Sequence, residues 1–236
     1  MRIDKFISEA GIASRKECAK AAKAGLLLVD GKTEKDTSKH INPEVNKITF
    51  MGREIEYKKF VYVLLNKPQG YVSATEDSAF PPVTDLLPEE LRKRGLFPVG
   101  RLDKDTVGVM ILTDDGGLAH AVLSPKRHVE KVYRFRAAEA LSGEAERLFS
   151  EGITLADGYE CKSARLLADE DRMGGEITLT EGKYHQIKRM VAATGNRVVS
   201  LERVSFAGLP FGNLPPRSEW RYLTEEEEKS LKEAAN

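Results

Sequence analysis

The stretch "VGRLDKDTVGVMILTDDG", residues 99–116, changes character halfway along. Its second half holds "VGVMILT" (107–113), an apolar run of strand length that reads as a buried strand. The turn "DDGG" stops it, and "LAHAVLSP" (118–125) then reads as a helix ended by Pro125. The first half is polar and sets one acid, Asp103, two residues after Arg101 and directly before Lys104, between Gly100 and Gly108. If residues 99–105 are extended, the period of two sends Arg101 and Asp103 to one face, where a guanidinium would hold the carboxylate ionised. The glycines would let a bulky ligand approach the backbone. Taken alone, the pair is also compatible with an ordinary loop salt bridge.

Working outward, "FVYVLL" (60–65) predicts a second strongly apolar strand, ended by a Pro-Gly turn in "NKPQG" (66–70). A loop rich in Ser, Asp and Pro follows, then a short helix near 88–94. "KVYRFRAAEA" (131–140) begins as a strand, 142–150 is helical, several strands run through "EITLTEG", and a helix starts near Tyr184. Strands outnumber helices and are mixed in spacing, which predicts an α+β fold with a largely antiparallel mixed sheet over residues 59–236.

Residues 1–58 form a separate predicted module. Ile3, Phe6, Ile7 and Ala10 recur at helical spacing and Gly11 closes that helix. Ser14 with Glu17 makes a capping box for a second helix, which runs to about Ala24 and ends at Gly25. Lys16, Lys20 and Lys23 share one of its faces, while Cys18, Ala19 and Ala22 offer small side chains for packing on the first helix. "LLLVDGKT" predicts a hairpin at Asp30-Gly31, and "KITFMGREIEY" another around Gly52, closing the module near Tyr57.

Composition narrows the class. The chain has 236 residues, 41% hydrophobic and 31% charged, with no run of 18 apolar residues and no signal-like N-terminus; a soluble cytoplasmic protein, monomeric and without a membrane partner, is the expectation. Cys18 and Cys161 stand far apart with no clustered His, so no disulfide, no metal site and two reduced structural thiols are expected. Zero net charge hides a gradient: residues 1–58 carry 12 Lys+Arg against 9 Asp+Glu, and residues 225–236 carry 2 against 5. A basic front module points to an anionic partner, although a solvated helix face would carry the same lysines.

Two further segments carry candidate chemistry. In "EGKYHQIKRMVAATG" (181–195), helical spacing gathers Tyr184, Ile187, Met190 and Val191 on an apolar side, with His185 and Arg189 nearly opposite and Lys188 at the edge. The edge suits a half-buried cation aimed at an interior carboxylate; His185 and Arg189 are placed to meet an external phosphate. In "EKVYRF" (130–135), strand alternation puts Lys131, Tyr133 and Phe135 on one face, and a tyrosine among Lys131, Arg134 and Arg136 reads as an aromatic platform for an unstacked base.

"NKPQGYVS" (66–73), the opening stretch, "KVY" (131–133) and the 181–195 segment resemble, in order and spacing, the motifs of the RsuA/RluA-type pseudouridine synthases. "RIDKFISEAGIASRKECAKAAKAGLLLVDGK" resembles the S4 RNA-binding domain, and together with "WRYLTEEE" near the end it points to the RsuA-type branch, which acts on small-subunit ribosomal RNA. The resemblance implies that Asp103 is the catalytic acid, Tyr133 packs on the target base and Lys188 pairs with Asp103. It implies RNA contacts from Arg101, Lys131, His185, Gln186 and Arg189, and from Arg15, Lys16, Lys20 and Lys23 in the S4-like module. The partner would be ribosomal RNA or the pre-30S particle, and no cofactor would be needed. Arg217, in "LPPRSEWR", stands near a position where similar proteins have a turn glycine.

That chemistry fits the inventory, which lacks a phosphate loop, a dinucleotide fingerprint and a metal cluster. A charged Asp103 is able to attack the ribose C1′, attack the ring or take a sugar proton, and the residues do not choose among these. Rival readings are a binding-only assembly factor, a synthase acting on large-subunit RNA, a nucleoside hydrolase using Asp105 or Asp114 as a second carboxylate, and a metal enzyme on "TDDGG".

Overall fold

A computed structural model describes residues 1–56, 58–210, 212 and 214–235; the expected module end at Tyr57 lies outside the described residues. The chain divides into two compact units, Met1–Val61 with Leu87–Leu96, and Tyr62–Leu86 with Phe97–Asn236.

In the first unit, α1 (Ile3–Glu9) and α2 (Arg15–Lys23) precede β1 (Leu27–Val29), β2 (Lys32–Thr33), β3 (Ile48–Phe50) and β4 (Arg53–Ile55). The Ser14–Glu17 capping box is present, with Ser14 N donating to Glu17 Oε2 at 2.8 Å and Glu17 N to Ser14 Oγ at 3.3 Å. Both hairpins turn through paired left-handed residues, Asp30-Gly31 and Met51-Gly52, the geometry that matches strand twist. The four strands order as β2-β1-β3-β4, all antiparallel. Ile3, Phe6, Ile7, Cys18, Ala22, Leu27 and Ile48 make the core. The expected 88–94 helix is α3 (Glu89–Arg94), and it belongs to this unit. Arg94 donates to the carbonyls of Lys58 and Lys59 at 2.5 and 3.1 Å, and a Cβ on Gly11 would run into the Glu90 carbonyl.

The second unit holds β5 (Tyr62–Lys67), β6 (Phe97–Pro98), β7 (Val107–Thr113), α4 (Gly116–Leu123), β8 (Lys131–Ala137), α5 (Ala145–Glu151), β9 (Arg165–Ala168), β10 (Gly174–Leu179), α6 (Gln186–Ala193), β11 (Val198–Phe206), β12 (Leu209–Pro210), β13 (Trp220–Tyr222) and α7 (Glu225–Ala234). Among the described residues the main path of its sheet is β13-β5-β7-β11-β8-β10-β9, with β12 on β11 and β6 on β7. Among the described strands only the β7–β11 pair is parallel, so the sheet is mixed and largely antiparallel, as the α+β reading expected. Both apolar runs lie inside it, β5 and β7 paired from Tyr62–Thr113 to Lys67–Gly108. Asp115 caps α4 by accepting from Leu118 N at 3.0 Å and also accepts from the Tyr62 hydroxyl at 2.8 Å; this structural duty accounts for the second acid of "TDDGG".

Near Arg217 the backbone does adopt the left-handed conformation that a glycine favours, one residue on, at Ser218 (φ 73°). Arg217 itself donates to Asn66 Oδ1 at 2.5 Å and pairs with Glu202 at 2.6 Å. No helix among the described residues is long and apolar enough to cross a membrane.

Candidate active site

Residues 99–106 are a loop between β6 and β7, not the extended segment that alternation assumed. Gly100 is left-handed (φ 80°), and Thr106 N closes a turn on the Asp103 carbonyl at 3.1 Å. The period of two therefore does not apply, and the expected Arg101–Asp103 pairing is absent: Arg101 is exposed and makes no ion pair among the described residues. Both glycines have a packing role. A Cβ on Gly108 would strike the Arg203 backbone across the β7–β11 pair, and one on Gly100 would press on Leu123.

The loop is held from beneath by a residue that motif reading passed over. Lys67, at the end of β5, is fully buried, and its Nζ donates to the carbonyls of Pro68, Asp103, Lys104 and Thr106 at 3.1, 3.0, 3.3 and 2.8 Å. Burial pushes its pKa down to about 8, against the pull of Asp105 and Asp103. Ser73 clamps the other side, its hydroxyl donating to the Leu102 carbonyl at 2.7 Å and accepting from Leu102 N at 2.9 Å.

Opposite the loop stands the start of α6. Lys188 Nζ lies 2.9 Å from Asp103 Oδ2 and 2.6 Å from Asp105 Oδ1, so the edge position predicted for it does aim it at the carboxylate. Burial works against the charge of both Lys188 and Asp105, yet their mutual bond prevails, leaving Lys188 raised and Asp105 lowered. The Asp103 side chain remains 27% exposed, screened from most water but open on one side.

Helix α6 begins at Gln186, two residues later than expected, because His185 takes a left-handed conformation (φ 48°). Tyr184 consequently falls outside the helix and is exposed, not packed with Ile187, Met190 and Val191. His185, expected to face an external phosphate, puts Nε2 3.4 Å from Asp103 Oδ1. Arg189 is tied to Asp157. Gln186, expected among RNA contacts, is buried as an internal strut: its Nε2 donates to Glu181 at 2.6 Å and its Oε1 accepts from Lys183 N at 2.9 Å. Glu181 also accepts from the Tyr159 hydroxyl and Lys162 N, both at 2.9 Å. These bonds fix the turn that delivers His185 and Lys188.

Tyr133 lies on β8 and is 9% exposed. Arg134 and Arg136 project from the opposite face, where they pair with Asp169 and Asp171 at 3.0 and 2.9 Å; the expected ring of cations around the tyrosine is thus split by strand alternation. Lys131 is half-buried, donates to the Val129 carbonyl at 2.8 Å, and is pushed down to about 8 by burial and by Arg203. Arg203, another residue that motif reading passed over, is Tyr133's register partner on β11. Fully enclosed, it donates Nε to the Val109 carbonyl at 2.8 Å and faces the Tyr133 hydroxyl; burial lowers its pKa against that contact. Strand alternation offered a signal, since Leu201 and Arg203 both fall on the buried face of "VVSLERVSF".

The loop between β6 and β7 thus presents one paired, partly exposed carboxylate, and Tyr133 is buried on β8, separated from β7 by β11. The chain matches the RNA pseudouridylate synthase family over residues 61–193 and the S4 domain over residues 1–45, and it belongs to that synthase family. It is 44% identical over 237 residues to the uncharacterized RNA pseudouridine synthase YtzG of Bacillus subtilis (strain 168), covering 99% of each chain. It is 36% identical to ribosomal small subunit pseudouridine synthase A of Vibrio parahaemolyticus, covering 98% of this chain and 99% of that one. The crystal structure of a pseudouridylate synthase superposes with a TM-score of 0.68 at 35% identity, covering 98% of this chain and 99% of that one.

Proposed function

We propose that the protein converts a uridine of small-subunit ribosomal RNA to pseudouridine, with Asp103 as the acting carboxylate. The observation that carries this reading is the Asp103–Lys188 ion pair at 2.9 Å, on a carboxylate still 27% exposed. The small-subunit substrate is supported by relatives of that name, from Vibrio parahaemolyticus and from Yersinia pestis at 37% identity, over 98% of this chain.

In the reaction the C1′–N1 bond breaks, the uracil turns, and C5 bonds to C1′. The C5 hydrogen leaves as a proton and N1 gains one, so nothing is oxidised. Asp103 supplies the negative oxygen at the reacting sugar or ring. Lys188 orients it and balances its charge. Tyr133 packs on the base once it has left its stack. Arg101, exposed near Asp103, meets the RNA backbone, and so do Arg15, Lys16, Lys20 and Lys23, all exposed on the first unit. The protein acts as a monomer in the cytoplasm, on free RNA or on the pre-30S particle.

The test is tritium release from small-subunit RNA carrying 5-tritiated uridine, with mapping of the modified site. Asp103→Asn should abolish release while RNA affinity stays within about twofold of wild type, since the substitution keeps the shape and removes the charge. Near-normal turnover by that variant would end the assignment. A mark confined to large-subunit RNA would replace the substrate.

A further inference from the structure

Tyr184 is the aromatic residue that helical spacing assigns to the core and the structure leaves 75% exposed. Its ring stacks on His185, centroids 3.8 Å apart and planes 19° from parallel. His185 in turn places Nε2 3.4 Å from Asp103. Two aromatic planes therefore lead outward from the carboxylate. Such exposure requires that the face of Tyr184 turned away from His185 be open. The arrangement is built in: His185 holds a left-handed conformation unfavourable for a non-glycine residue, which persists only where the surroundings impose it. The Glu181–Gln186 and Lys183–Gln186 bonds on either side supply that constraint.

A flat, preset aromatic face beside a site that acts on an extruded base has a natural occupant. Extrusion of a nucleotide leaves its neighbours without a stacking partner, and any nucleobase gains by lying on an aromatic ring. We propose that the outer face of Tyr184 is a stacking site for the nucleobase next to the target uridine, the Tyr184–His185 pair filling the gap left in the RNA stack. This rests on the uridine-isomerase reading above and assigns to that site a second nucleotide contact. His185 then acts as the inner plane of the platform and as a neighbour of Asp103.

The test is a protein–RNA double-mutant cycle read by equilibrium Kd, using oligoribonucleotides centred on the mapped uridine, with the native sequence or an abasic nucleotide on its 5′ or 3′ side. Tyr184 is exposed and outside the helix, so the variants should fold, and circular dichroism checks it. Tyr184→Ala should weaken binding of the native oligonucleotide about tenfold and Tyr184→Phe less than about twofold. An abasic nucleotide at the stacked position should cost the wild type about tenfold and Tyr184→Ala almost nothing, whereas the other abasic position should penalise both proteins equally. Wild-type affinity for Tyr184→Ala, or losses that add fully at both positions, would overturn the proposal. Failure of the isomerase reading would show separately, as absence of tritium release by the wild type on the same oligonucleotides, because the cycle is read from binding alone.

Discussion

Replacing Lys67 by Met tests whether the loop that carries Asp103 is held by a buried charge. Lys67 donates to four carbonyls, two of them at Asp103 and Lys104. Hydrogen bonds to a charged group are worth roughly 1.5–3 kcal/mol each, but enclosing the ammonium costs stability. The fall in its pKa from 10.5 to about 8 corresponds to ~3 kcal/mol. Four such bonds, roughly 6–12 kcal/mol together, outweigh the ~3 kcal/mol burial cost that methionine escapes, so Lys67→Met should be less stable than wild type at pH 7 by at least ~3 kcal/mol. The pH dependence then isolates the residue. Below pH 8 Lys67 is protonated in both states and the folded protein bears the full burial cost. Between about 8 and 10.5 the unfolded chain holds more protons, so folding gains stability as pH rises. Wild type should therefore gain ~3 kcal/mol over Lys67→Met across that interval by urea denaturation, with Lys131, also near 8, cancelling between the two. At neutral pH kcat should fall about a hundredfold, because displacement of reacting groups by an ångström costs that much, while KM for RNA stays nearly constant. A parallel stability difference from pH 8 to 10.5, or a wild-type kcat for the variant, would refute the reasoning.

Two further substitutions probe the frame around the site. Gly108→Ala places a Cβ against the Arg203 backbone in a left-handed residue (φ 103°) and should lower stability by ~3 kcal/mol, read as a fall in Tm of about 10 °C; an unchanged Tm would mean that β7 and β11 do not approach so closely. Glu181→Ala strands the donors of Gln186, Tyr159 and Lys162 and should cost ~2–4 kcal/mol by chemical denaturation, with Glu181→Gln recovering about half; equal midpoints for all three proteins would show that the network carries no stability.

What the sequence made legible is what neighbouring residues decide among themselves. The Ser14–Glu17 box, the Asp30-Gly31 turn and the two apolar strands each depend on residues a few positions apart; the box, the turn and the strand at 107–113 formed where expected, and the strand expected at 60–65 formed two residues later, at Tyr62–Lys67. Partner choice across long separations was not legible. Arg101 is Asp103's neighbour in sequence, yet Lys188, 85 positions away by numbering, takes the carboxylate, because a left-handed glycine at 100 and a turn at 103–106 cancel the alternation. Likewise one left-handed histidine moves the start of α6 and expels Tyr184, and no periodicity count registers a single residue's φ. The departures gather around Asp103, and that clustering has a physical reason. Regular elements repeat one backbone conformation, so their side chains follow a period; bringing Lys188 and His185 onto the two oxygens of one carboxylate takes irregular backbone, left-handed turns and buried cations such as Lys67 and Arg203. The same irregularity that hides the geometry from pattern reading is what brings Lys188 and His185 to Asp103 from a separate segment of the chain.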